Sequence, residues 1–225
     1  MGSNTRIISV ANSKGGVGKS VITIMLAVTL AKKKNKRVLI LDCDNQGSIS
    51  EMYEREKEQR GGEVEALVEV EELTPRRVQT FLKRFGDDYD VIFIDVPRMT
   101  DAKKDTATVL LLNNCDSILV PVIGSEVDVL STMEFMNIID DAAIYKKEME
   151  MDFRCYGFIN RRNLRKSNEE AEKAMKKRKL KMFKNSLSDL KIFTTPSFYQ
   201  SILDTAEGER RFMDFYKEFV RKFKL

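Results

Sequence analysis

With 225 residues, 42% of them apolar and 33% charged, the chain can bury a full α/β core and needs no disulfide to hold it. It contains no histidine, which excludes histidine-based triads and histidine-ligated zinc, and its three cysteines (Cys43, Cys115, Cys155) form no C-x-x-C pair. The net charge of +4 is unevenly spread: residues 161–184 carry 11 basic against 3 acidic side chains, on an otherwise mildly acidic chain. No apolar run reaches membrane-spanning length and no signal peptide opens the chain, so a cytoplasmic protein of one domain over 1–225 is expected.

Residues 6–11 read as a first buried strand, and 19–33 as a helix that is apolar on most sides. Between them lies Ser13-Lys14-Gly15-Gly16-Val17-Gly18-Lys19-Ser20. Strand, glycine-rich turn and helix form the context of a phosphate-binding loop. Glycines leave no Cβ in the way, so successive backbone N–H groups can point at phosphate oxygens, and the helix start adds partial positive charge. Lys19 is placed to reach the β- and γ-phosphates, and Ser20 to put its hydroxyl on magnesium. The helix ends in Lys32-Lys33-Lys34-Asn35-Lys36, which supplies cations at the negative end and an asparagine for the turn.

Residues 37–42 form a second apolar run, ending in Asp42. Asp44 follows one residue on, so in an extended segment both carboxylates point the same way. A short helix over 48–58 breaks at Gly61-Gly62, and 63–73 is ambiguous, with a short edge strand as one option. Thr74 and Pro75 start a helix through about Phe85. Residues 90–95 are a buried strand ending in Asp95, the Walker B pattern of apolar residues that place one carboxylate near magnesium. Then come a helix over 102–114, a strand over 117–122, a long helix over 126–147, a strand over 153–160 ending in Asn160, and a last strand over 190–195 before Pro196. Phe212, Phe215, Tyr216, Phe219 and Phe223 share one face of a final helix. This alternation predicts an α/β fold of P-loop NTPase type, a mostly parallel twisted sheet with helices on both faces.

The loop departs from the general G-x-x-x-x-G-K-[ST]: Ser13 stands where the first glycine would be, and a second lysine, Lys14, follows it. K-G-G-V-G-K-S resembles the deviant Walker A loop of the ParA/MinD family of ATPases, which drive plasmid and chromosome partition, division-site placement and other cargo positioning. The likeness covers nearly the whole chain and is densest in 6–50 and 90–123; the short ParA-type members are the most similar. Asp42-Cys43-Asp44-Asn45-Gln46-Gly47 resembles the family's D-x-D-x-Q-G, with Asn45 in place of the usual proline. Asp95-Val96-Pro97 resembles its D-x-P, with Arg98 in place of a second proline. Arg98 reads as facing solvent, with a phosphate contact as the alternative.

The resemblance implies ATP and Mg2+ as ligands. It places the nucleotide on Lys14, Gly15, Gly16, Val17, Gly18, Lys19, Ser20 and Val21, and the metal on Ser20, Asp42 and Asp95. Lys14, Lys19 and Asp44 are the implied catalytic set, with Asp44 orienting the attacking water. Asn160 is the implied adenine contact, with turn capping as its alternative; Pro196 and the stretch after it resemble the part that closes over the base. ATP binding is implied to form a homodimer in which Lys14 crosses to the partner's nucleotide, coupling hydrolysis to dimerisation.

The basic segment is the candidate DNA contact, through Arg161, Arg162, Arg165, Lys173, Lys176, Lys177 and Lys181. Contacts of this kind go to phosphates and carry little sequence preference. A ParB-like or adaptor protein would then stimulate hydrolysis. The final helix reads as packed on the core, with MinD-like membrane docking as the alternative.

Overall fold

The computed structural model describes residues 5–62, 64–98, 106–163 and 166–225. Its frame is a six-stranded, wholly parallel sheet built from β1 (Arg6–Val10), β2 (Val38–Asp42), β3 (Glu69–Glu72), β4 (Val91–Asp95), β5 (Ser117–Val122) and β6 (Arg154–Ile159). The spatial order is β3-β2-β4-β1-β5-β6. Every residue of β2, β4 and β5 is buried, which is why these strands read as continuous apolar runs: both faces are covered by helices.

Side chains alternate between the two faces, so each strand feeds two cores. Ile8, Val10, Ile40 and Phe93 meet α1 (Lys19–Lys34) and α7 (Ala206–Phe223). Leu39, Leu41, Ile92, Ile94 and Val120 meet the other face, covered by α3 (Pro75–Phe85), α4 (Thr106–Asn114), α5 (Glu126–Glu148) and α6 (Ser167–Lys177). The remaining helix, α2 (Ser48–Gln59), sends Ile49 into the first core. α1 stops where Asn35 takes a left-handed conformation, φ 50°, as its lysine-rich end predicts.

The aromatic face of α7 is fully committed to the core. Phe212, Phe215, Tyr216, Phe219 and Phe223 are all buried, and Phe93 of β4 stacks on Phe219 with ring centroids 6.3 Å apart. Such a face could enter a bilayer only by first being unpacked from the core, with its counterparts on the sheet left uncovered. Among the described residues no helix is long and apolar enough to cross a membrane.

The expected last strand over 190–195 is not a strand. Lys191–Phe193 is a single 3-10 turn. The outer edge of β6 is already taken at its carboxyl end by the preceding segment, through bridges Gly157–Met182 and Arg162–Ser188, so residues 190–195 find that end of the edge occupied. The ambiguous 63–73 stretch does hold a strand, β3, parallel to β2 at the sheet edge. The start of the helix predicted from residue 102 lies outside the described residues, and α4 is seen from Thr106.

Lys146 of α5 is fully buried, and its Nζ has no hydrogen-bond partner among the described residues. Burial pushes its ammonium below the ordinary lysine value of 10.5, with Asp116 and Cys115 acting in the opposite direction. The folded chain then binds fewer protons here than the unfolded one, so stability from this group rises with pH and its penalty vanishes above the unfolded value. Lys146→Met should stabilise the protein by about 1–3 kcal/mol at pH 7, a gain that shrinks towards pH ~10.5. Urea denaturation of both proteins at several pH values measures it.

Candidate nucleotide site

The carboxyl ends of β1, β2 and β4 lie side by side, the place where open α/β sheets bind ligands. The loop from Asn12 to Ser20 leaves β1 there and enters α1. Its shape comes from two glycines in the left-handed region, Gly16 (φ 76°) and Gly18 (φ 92°). Three buried contacts anchor its start: Asn12 Nδ2 donates to Pro121 O (2.9 Å) and to Thr132 Oγ1 (2.9 Å), and Ser13 Oγ donates to Ser131 O (3.0 Å). Asn12 Oδ1 accepts from the Lys14 N–H at 3.1 Å. Sequence reasoning missed Asn12, because its partners are more than 100 residues away.

Gly18 sits against Asn160: a Cβ there would lie 2.7 Å from Asn160 Nδ2, which itself donates to Val17 O at 2.8 Å. Gly18→Ala therefore meets both a forbidden φ and a rigid neighbour. It should cost about 1–3 kcal/mol and weaken nucleotide binding at least ~10-fold. Thermal melts and titration with a fluorescent ATP analogue read the two effects.

The two lysines of the loop have different addresses. Lys19 is buried and donates to Lys14 O at 3.1 Å; burial lowers its pKa, while Asp95 and Asp44 raise it. Lys14 instead reaches outward, and its Nζ is 3.2 Å from Asp128 Oδ1. Asp128 lies in the first turn of α5, whose N-cap Ser125 also hydrogen-bonds it through both its N–H and its carboxylate.

The acids divide as sharply. Asp42 and Asp95 are register partners on adjacent strands. Asp42 Oδ2 accepts from the N–H groups of Ile49 (3.1 Å) and Ser50 (2.9 Å), and Oδ1 accepts from Asp44 N (3.3 Å), so it fastens the start of α2 to the strand tip. Asp95 Oδ2 accepts from Ser20 Oγ at 2.9 Å, but Oδ1 is buried without a hydrogen-bond partner among the described residues. Burial, the nearby Asp42 and Asp44 push the Asp95 carboxyl up to about 7, while Ser20 and Lys19 pull it down. A buried carboxylate oxygen with nothing to satisfy it suits a cation. Among the described residues no group of three or more acidic or cysteine side chains forms a metal cage. Magnesium needs no such cage: it is held by one or two protein oxygens and the substrate's phosphates. Ser20 and Asp95 fit that description. Asp44 stands beside them, half-buried, with Oδ1 accepting from Gln46 N at 3.0 Å.

A cavity of about 150 Å³ adjoins the loop, bounded by Gly18, Val21, Asn160, Leu190, Phe193 and Thr194. Asn160 is buried there, with Nδ2 committed to Val17. The far wall comes from the 3-10 turn that replaces the expected strand. Pro196 is not on this cavity; it lines a separate one of about 140 Å³ with Met25 and Val28 of α1. Arg98 is exposed yet lies across the loop, with its Cδ 3.2 Å from where a Gly15 Cβ would be.

Apart from Arg161, which also lines the cavity beside Asn160, the basic residues fall elsewhere. Arg161, Arg162, Lys173, Lys176, Lys177 and Lys181 are exposed, while Ala171, Met175, Leu180 and Phe183 turn the segment's apolar side into the core. Lys176 pairs with Glu172 at 2.6 Å. Arg165 lies outside the described residues.

The sequence profile of the CobQ/CobB/MinD/ParA nucleotide binding domain matches residues 8–203. The chain belongs to this family. Within it, the chain is 31% identical over 129 residues to the maintenance of carboxysome distribution protein A of Gloeobacter kilaueensis, an alignment covering 57% of this chain and 54% of that protein. The chain thus spans about half the length of that relative. In fold it resembles a plasmid partition protein from Borrelia burgdorferi, with TM-score 0.70 and 19% identity over 97% of this chain and 99% of the other. It also resembles cobyrinic acid a,c-diamide synthase from Mycobacterium smegmatis with bound ATP analogue and magnesium, with TM-score 0.72 and 17% identity over 98% and 96% of the two chains. At these identities the solved structures establish the P-loop fold of the CobQ/CobB/MinD/ParA family for this chain, and its nucleotide-binding character follows from membership.

Proposed function

We propose that the protein is an ATP-dependent, dimerising ATPase of the ParA type, which binds DNA without sequence preference and positions a cargo from the cytoplasm. The observation that carries this reading is the division of labour between the loop's two lysines. Lys19 is folded inward onto the loop, where its ammonium meets the β- and γ-phosphates. Lys14 is turned outward to Asp128, on a face that also exposes Val127 (63%) and Leu130 (57%) of α5. A half-exposed ion pair of this kind is worth about 0–1 kcal/mol, so Lys14 leaves it at little cost. A second copy apposed here would receive Lys14 at its own nucleotide, and the two apolar side chains would be covered.

Magnesium, if bound, would neutralise charge on the phosphates. The chain's part is to hold it: Ser20 Oγ and the unpartnered Oδ1 of Asp95 are the donors, and Asp42 braces the strand tip between them and α2. Backbone N–H groups of residues 15–20 cradle the phosphates. Asp44 holds and orients the attacking water. Asn160 and the 190–194 wall take the base. Relatives named for plasmid partition and carboxysome distribution support cargo positioning as the output, with a partner protein of ParB-like or adaptor type stimulating hydrolysis. Membrane docking through α7 is the weaker reading, since its apolar face is spent on the core.

The test is binding of random-sequence duplex DNA with ATP, with ADP and without nucleotide, at two salt concentrations. Binding should require ATP and fall steeply with salt. Reversing Lys173, Lys176 and Lys177 to glutamate should flatten the salt slope by about 0.9 for each phosphate that is no longer neutralised. ATP-independent or salt-insensitive binding, or attachment to anionic liposomes instead, would rule the reading out.

A further inference from the structure

β6 is the last strand of the sheet, and only half of its outer edge is covered. At Gly157 the segment from Lys181 runs alongside: Gly157 N donates to Lys181 O (2.8 Å), and Phe183 N donates to Gly157 O (2.7 Å). Before Gly157 the cover stops. Lys179 takes a left-handed conformation, φ 67°, and Leu180 N closes back onto Met175 O at 3.0 Å, so the chain turns away from the strand.

The even-numbered residues of β6 face β5. Arg154 N donates to Asp116 O (2.9 Å) and Asn160 N to Val122 O (2.8 Å). The period of two therefore aims the N–H and C=O of Cys155 outward, where no hydrogen bond among the described residues meets them.

Beside this bare edge lies an open groove of about 620 Å³. Met136, Ile139 and Ala143 of α5 give it an apolar floor. Its charged lining is Arg154, Arg178, Lys179 and Lys181 against Asp140 and Asp152, a surplus of two positive charges. Arg178 is spent on Asp140 (2.7 Å) and Asn137 (2.8 Å). Arg154 reaches Asp152 through Nη2, but its Nη1 is buried with no hydrogen-bond partner among the described residues. Unpaired strand edge, apolar floor and unmet cationic donor occur together at one place.

We propose that this groove is a docking site for an extended acidic segment of a partner protein, which adds to β6 as a further strand. Its backbone pairs with Cys155 where the protein's own chain turns away, one carboxylate meets Arg154 Nη1 and Lys179, and its apolar side chains rest on Met136 and Ile139. An edge strand with free N–H and C=O groups is a ready template for such pairing, and the backbone bonds give affinity while the flanking pockets give specificity. A DNA duplex would use neither the strand edge nor the apolar floor, and the two aspartates would repel it.

The experiment uses the full chain and short fluorescein-labelled peptides in an anisotropy titration. One peptide alternates valine with glutamate, a second valine with lysine, and a third breaks the glutamate series with proline so that it cannot pair. The glutamate peptide should bind, and the other two should bind at least about 10-fold more weakly. Lys179→Glu, on the exposed rim, should lower affinity by about the same factor. Cys155→Pro removes the outward N–H at an edge position, where proline is tolerated, and should abolish binding. Circular dichroism of each variant confirms the fold; if Cys155→Pro misfolds, Arg154→Gln replaces it and should reduce binding of the glutamate peptide alone. No binding of the glutamate peptide up to ~1 mM, equal binding of the lysine peptide, or binding that survives Lys179→Glu and Cys155→Pro would overturn the proposal. Displacement of the peptide by duplex DNA, with Cys155→Pro still binding both, would assign the groove to phosphates and overturn it equally.

Discussion

Lys14→Ala should lower kcat for ATP hydrolysis by about 10³-fold while changing the nucleotide affinity of the monomer no more than about threefold. The geometry separates the two effects. In the single chain Lys14 is bound to Asp128 at 3.2 Å and contributes only its backbone to the loop, whose cradle is set by the glycines and by Asn12. Truncating the side chain therefore leaves the cradle and Lys19 in place. On the proposed reading, what disappears is a positive charge delivered to the γ-phosphate by a second subunit, and a cation supplied in trans to a phosphoryl-transfer transition state is worth several orders of magnitude. Single-turnover hydrolysis measured beside a binding titration separates the two quantities. Full turnover by the variant would remove Lys14 from the mechanism.

Asp44→Ala should form the ATP-bound dimer and turn over about 10²–10⁴-fold more slowly. Its carboxylate stands at the tip of β2, close enough to Lys19 and Asp95 to shift both, and half-open to water. Asp42 and Asp95, by contrast, are fully buried, with Asp42 accepting from the N–H groups of Ile49 and Ser50 and Asp95 from Ser20. On the proposed reading, Asp44 is thus the acid of the three left open to meet a water in line with the γ-phosphate. Its Oδ1 accepts only from the local Gln46 N–H, so alanine removes one turn contact and leaves the strand intact. Rapid-quench hydrolysis with sizing of the ATP complex distinguishes a slow dimer from an absent one; normal turnover would contradict the role.

The parts of this site that were legible in the sequence are those whose signal is local. A buried parallel strand is apolar on both faces, so β1, β2 and β4 stand out as runs, and a carboxylate at the end of such a run is conspicuous. The loop announces itself through glycines that only φ > 0 requires. α7 was legible because five aromatics at helical spacing need a core to cover them. What was hidden depends on contacts between distant segments. Asn12 anchors the loop only because Pro121 and Thr132 come to meet it. Asp128 is an unremarkable helix acid until the fold sets Lys14 beside it. Arg98 is exposed, as expected, but it also lies over Gly15 because β4 ends next to β1. The 190–195 stretch has the composition of a strand, but the carboxyl half of the β6 edge is occupied by the segment before it, and the turn it makes instead supplies a wall beside Asn160. Pro196 was placed by resemblance alone, and the structure sets it on a different cavity.

If the nucleotide controls whether two copies meet across the Lys14 face, sedimentation velocity of the Asp44→Ala protein will show it. The runs compare ATP with Mg2+, ADP with Mg2+, and no nucleotide. Mass should double with ATP only, and fall back when Lys14 is also replaced or when EDTA removes the metal. A single species of unchanged mass in all three conditions would contradict nucleotide-controlled dimerisation.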